Sequence, residues 1–145
     1  MNVLNGYDIE DLTVGMQATF TKTITDADIS MFVGVSGDNN AIHIDDEFAA
    51  TTPFKGRIAH GILTASIISA AIANRLPGPG VVYMGQNLRF KAPVRPGDTV
   101  KATVTVKEID LAKGRVTMST VCTVKDTVVI DGDALLKPTS RARKG

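Results

Sequence analysis

The chain has 145 residues, 43% of them hydrophobic and 21% charged, which suits one soluble domain with a substantial core. Its 16 basic and 15 acidic side chains leave a net charge of +1, too weak a field to hold a nucleic acid backbone. With 2 Tyr, 5 Phe and no Trp, platforms for base stacking are scarce as well, so no nucleic acid partner is expected.

The single cysteine, Cys122, excludes an internal disulfide. It lies in the strand-like run "VTMSTVCTV" and reads as a core residue suited to a reducing compartment. The opening "MNVLNGYDIEDLTVG" has neither the basic nor the apolar region of a secretory signal. The longest apolar-rich run, "GILTASIISAAIANRL", is too short and too rich in Ser and Thr to span a bilayer. The expectation is a cytoplasmic protein with no membrane partner.

In chain order, residues 15–24, "GMQATFTKTI", alternate loosely and predict a strand. Thr25 or Asp26 can cap the next segment, where Ile29, Phe32 and Val33 recur at helical spacing until Gly37, giving a helix at 26–36. Residues 38–60 read as irregular, with a brief helical turn near "DDEFAAT". Ordered loops this long are more often functional than decorative. Residues 61–76 predict a helix apolar nearly all round, hence buried, which "PGPG" at 77–80 ends.

Four strands follow, at 81–94, 98–110, 114–126 and 127–138. Three alternate Thr, Lys and Arg against Val, Met and Ile, the pattern of an antiparallel sheet with one solvated face. The element order predicts one α+β domain, a curved antiparallel sheet wrapped around a central helix. The basic tail, 139–145, is expected to be disordered.

The turn "GDNNAIH" at 37–43 places Asp38 five residues before His43. Spacing alone leaves two readings open, solvated loop residues or a site. Further on, "RIAHGILT" puts His60 and Gly61 at the mouth of the long helix. Helix N-termini present unpaired N–H groups and a positive dipole end, and a glycine there lets a ligand oxygen approach closely. Tight entry of the helix into the sheet would also explain the glycine.

Taken together, residues 36–66 resemble the signature of the MaoC-like, R-specific enoyl-CoA hydratase family. The matching elements are Asp38, Asn40 two on, His43 five on, and "AHG" at 59–61 entering the helix. "LRFKAPVRPGDTV" at 88–100 is similar to the family's strand and turn after the helix. The likeness covers roughly 12–138, and departs at Ala41, where many members have Pro.

The resemblance implies a hot-dog fold and a homodimer whose sheets join edge to edge. It also implies an acyl-CoA substrate bound near the subunit interface, and no cofactor. The implied reaction adds water reversibly across a trans-2-enoyl thioester, giving the R-3-hydroxyacyl thioester. Asp38 and His43 would then hold the water and move its proton. The Gly61 N–H would stabilise charge on the thioester oxygen, and Asn40 would support the loop.

His60, Ile62, Leu63, Arg89 and Lys91 are expected at the substrate, with Ser66 and Tyr83 further candidates for the acyl pocket; the His60 ring is also expected to leave the helix mouth and make a local hydrogen bond. Arg57, Arg89, Lys91 and Arg95 are candidates for the CoA phosphates. No metal is expected, since two histidines 17 positions apart without a nearby Cys are a weak ligand pattern. The alternatives are a 3-hydroxyacyl-[acyl carrier protein] dehydratase or a non-catalytic acyl-thioester-binding subunit. Polyester precursor supply and fatty acid metabolism both use this chemistry, and the residues do not choose between them.

Overall fold

The computed structural model describes residues 1–142. Strand β1 (Gln17–Thr23) leads into helix α1 (Asp26–Ser36), followed by two short helices, α2 (Ala41–Ile44) and α3 (Asp46–Ala50), and then by the long α4 (Gly61–Asn74). Strands β2 (Val82–Gln86), β3 (Arg89–Phe90), β4 (Thr99–Asp110), β5 (Arg115–Val124) and β6 (Thr127–Lys137) complete the chain. The six-stranded antiparallel sheet has the order β1-β4-β5-β6-β2, with β3 also paired to β6. This is the expected hot-dog arrangement, with the sheet curved over α4.

Alternation builds the contact between sheet and helix. On β4, Val100, Ala102, Val104 and Val106 are buried; on β5, Val116, Met118, Thr120 and Cys122 are. All but Thr120 form one core with Ile67, Ile68, Ala71 and Ile72 of α4. Each such aliphatic side chain contributes about 1.5–3 kcal/mol when fully buried. Burial also pushes the Cys122 thiol up to about 12, leaving it protonated and unreactive at neutral pH.

Three local expectations are corrected. The predicted strand at 81–94 is broken after Gln86, because Asn87 turns its carbonyl against Gly132 on β6, where a Cβ would obstruct it. Asn87 Oδ1 instead accepts the Asp133 N–H at 3.2 Å. Helix α4 is not buried all round. Ile62 is 58% exposed, and Ser66, Ser69 and Ala73 continue that open stripe, because the sheet covers only the opposite face.

The tail is the third correction, as far as residue 142. Thr139 accepts the Ile9 N–H at 2.8 Å through its carbonyl, and its hydroxyl bonds Asp8 at 2.7 Å. Arg141 reaches Asp11 at 2.7 Å and Asp8 at 3.4 Å. The rest of the tail, 143–145, lies outside the described residues. Among the described residues no helix is long and apolar enough to cross a membrane.

The Arg141 pair should be readable in acid. Arg141 holds the Asp11 carboxyl down to about 2 from an ordinary 3.8. A carboxyl lowered by folding adds stability above its ordinary value and loses it as pH falls toward the folded one. Arg141→Ala should therefore lower the melting temperature slightly at pH 7, and the gap to wild type should close between about pH 4 and pH 2. A gap that stays constant down to pH 2 would show that this pair does not link the two ends.

Candidate active site

The turn after α1 is made by local chemistry. Thr25 and Asp28 cap the start of α1 reciprocally, and Gly37, at φ 80°, turns the chain away from its end. Asp38 follows, exposed, with its N–H on Ser36 Oγ at 3.1 Å. Its carboxylate accepts the Asn40 N–H at 3.3 Å, and Asn40 Oδ1 accepts the Ile42 N–H at 3.1 Å. Asn40 is thus the cap of α2, the helix that carries His43. This helix was not expected, because a single turn shows no periodicity.

The fold brings Asp38, His43 and His60 together. A carboxylate oxygen of Asp38 and a ring nitrogen from each histidine all lie within 4.8 Å of one another. His43 is 8% exposed, and its Nδ1 lies 2.7 Å from the Ile58 carbonyl. A carbonyl only accepts, so Nδ1 carries a proton, and in the neutral ring the lone pair is on Nε2. A base beside an exposed carboxylate results, able to share one water at about 2.6–3.2 Å.

His60 is 2% exposed, with Nε2 at 2.9 Å from the Asp38 carbonyl. Its ring stacks on His43, with centroids 3.7 Å apart and planes 26° apart. The same two figures bear on a metal ion. Zinc bonds imidazole nitrogen in the ring plane at about 2.0–2.1 Å, and planes this nearly parallel meet well beyond that reach. The cluster suits a hydrogen-bonded water better than an ion.

Gly61, the first residue of α4, follows His60 directly. Together with Phe54, Ile58, Ile62, Phe90 and Val94 it lines an apolar pocket of about 380 Å³. A Cβ on Gly61 would stand 2.5 Å from the Phe90 ring, so the glycine lets helix and aromatic ring meet. Phe90 and the Ile58 carbonyl escaped the sequence reading. One belongs to a two-residue strand, and the other is backbone.

The expected substrate residues separate. Ile62 and Lys91 line the Gly61 pocket, whereas Leu63 and Ser66 line a second groove with Phe32 and Met31 of α1. Tyr83 lines neither, and its hydroxyl donates to Gln86. Lys91 is 3.6 Å from Asp131, and Arg89 is exposed.

Arg57 is already engaged, with Asp26 of α1 at 2.8 Å and Asp46 of α3 at 2.6 Å. Arg95 donates to the carbonyls of Phe54, Gly56 and Arg57. Both arginines brace the loop that carries Ile58 and His60, so neither is free for a CoA phosphate.

The Gly61–Phe90 contact predicts coupling. Gly61→Ala and Phe90→Ala should each lower stability, and the double variant should lose less than the sum. A coupling of about 0.5–3 kcal/mol in urea unfolding is expected for residues in contact. Strict additivity would show that the ring does not rest on Gly61.

Comparison with known proteins gives the same picture. The MaoC-like domain family model matches residues 12–129. An (R)-specific enoyl-CoA hydratase of Rhodospirillum rubrum is 51% identical over 132 residues, covering 91% of this chain and 92% of that protein. A 3-hydroxybutyryl-CoA dehydratase of Methylorubrum extorquens is 48% identical, covering 88% of this chain and 82% of its own length. Among solved structures, the unliganded R-hydratase PhaJ1 of Pseudomonas aeruginosa superposes with a TM-score of 0.88 at 44% identity, covering 94% of this chain and 88% of that one. With the family model over most of its length and relatives of this identity and fold, the chain belongs to the MaoC-like domain family.

Proposed function

We propose that the protein is an R-specific enoyl-CoA hydratase, adding water to trans-2-enoyl-CoA to give R-3-hydroxyacyl-CoA and catalysing the reverse dehydration. The observation that carries this reading is the meeting of Asp38 with a His43 whose Nε2 is left free to accept a proton. One water sits between the Asp38 carboxylate and His43 Nε2. Its oxygen bonds to C3 as the C2–C3 double bond opens. The water proton passes to the pair, and the pair returns one proton to C2.

Charge that develops on the thioester oxygen is met by the Gly61 N–H at the N-terminus of α4. Asn40 holds the turn between the two catalytic residues. The 380 Å³ pocket beside Gly61 is apolar enough for part of the acyl-thioester. Lys91 on its lining and the exposed Arg89 remain as candidates for the CoA phosphates. A buried free thiol suits a cytoplasmic location.

The test is loss of enoyl-thioester absorbance with crotonyl-CoA. Asp38→Asn and His43→Asn should each lower kcat about 10²–10⁴-fold, the usual worth of a positioned acid or base. Because Asp38 is exposed, Asp38→Asn should melt within a few degrees of wild type. A folded wild type that is inactive on short, medium and long enoyl-CoA would overturn the CoA reading. Activity confined to carrier-protein thioesters would then make it an acyl carrier protein dehydratase.

The same proposal includes a homodimer joined along β2. Val82, Tyr83 and Met84 on this edge strand are 54%, 38% and 46% exposed, and an apolar free edge is a pairing surface. Sedimentation should give twice the chain mass for wild type and the mass of one chain for Val82→Lys/Met84→Lys. A monomeric wild type would contradict the dimer.

A further inference from the structure

We infer that His60 is the positioning residue of the catalytic pair, one buried ring that holds the Asp38 backbone through its N–H and His43 through its face. This rests on the hydratase reading above.

His60 occupies the N-cap of α4, yet its side chain makes no cap hydrogen bond. That position normally favours Ser, Thr, Asp or Asn, whose side chains satisfy the first helical N–H groups. The imidazole instead turns back across the loop. Its Nε2 donates to the Asp38 carbonyl at 2.9 Å, and its ring lies 3.7 Å from that of His43. Phe32 of α1 packs against it at 4.8 Å, tilted by 59°. Elements α1, α2, α4 and the Asp38 turn therefore converge on one side chain.

The other nitrogen points to function as well. His60 Nδ1 is buried with no hydrogen-bond partner. An unpaired buried acceptor costs stability, and native structures hold few of them. A phenyl ring would fill the same space between Phe32 and His43 without that cost. What it would lack is the Nε2–H on Asp38. That hydrogen bond is the part that packing alone does not explain. At 2% exposure the ring offers no surface to substrate, so a place in the substrate-binding set does not suit it.

Two variants separate the two links. His60→Phe keeps a ring on His43 and removes the donor. His60→Gln keeps an amide donor and removes the ring. His60→Phe should melt at or above the wild-type temperature, with KM for crotonyl-CoA within about twofold and kcat about 10–100-fold lower, since small misplacements cost up to about 10² in rate. His60→Gln should recover kcat several-fold over His60→Phe, despite being the less stable of the two.

Wild-type kcat in His60→Phe would reduce His60 to packing. A raised KM with unchanged kcat would make it a substrate contact. His60→Gln no more active than His60→Phe would remove the hydrogen bond from the account.

Nitrogen-15 NMR of the histidines in the wild type needs no variant to fold and no turnover. It should show His60 protonated at Nε2 and His43 at Nδ1. His60 protonated at Nδ1 would overturn the inference, even if the hydratase activity holds. An inactive wild type with these tautomers would remove the hydratase reading and leave the geometry standing.

Discussion

The site depends on where α4 begins. The helix is fixed along its axis by Ile67, Ile68, Ala71 and Ile72 against the buried faces of β4 and β5. That contact supplies half of the buried core residues, and it leaves the first turn of the helix at a defined place. His60 and Gly61 are therefore presented to the loop 37–60 by a packed core. The loop then has to fit them. It does so through the Ile58 carbonyl on His43, the Asp38 carbonyl on His60, and the Ala59 N–H on Val94 O at 2.7 Å.

A polar cluster at the edge of an apolar core needs bracing, because hydrogen bonds at exposed loops are worth little alone. Arg57 ties α1 to α3 across the loop through two carboxylates, and Arg95 collects three carbonyls of the segment that leads to Ile58. Guanidinium suits both tasks, since its planar fork donates in several directions at once. These residues are charged for a structural reason.

Much of the fold was legible because its signals are local. The Thr25 cap, the Gly37 stop and the alternation along β4 and β5 each act within a few residues. The break at Asn87 was not legible, since its cause is a contact with Gly132 on another strand. Nor was the open stripe of α4, because apolar composition does not record which side a sheet will cover. In the site, the spacing of Asp38 and His43 by itself favoured a solvated loop, and family likeness turned the reading to an active site. The orienting carbonyl of Ile58 leaves no trace in a sequence, because every residue has one. His60 was visible, and its turn away from the helix mouth was expected, but the stack on His43 was not, since it is set by tertiary packing.

One arrangement is central to the proposed reaction: water held between Asp38 and His43 on one side, and the thioester oxygen on Gly61 on the other. The most direct measurement is a crystal structure with R-3-hydroxybutyryl-CoA bound. The 3-hydroxyl should lie within hydrogen-bond reach of both the Asp38 carboxylate and His43 Nε2, with the thioester oxygen on the Gly61 N–H. A hydroxyl that touches neither residue, or a thioester oxygen turned away from α4, would contradict the account.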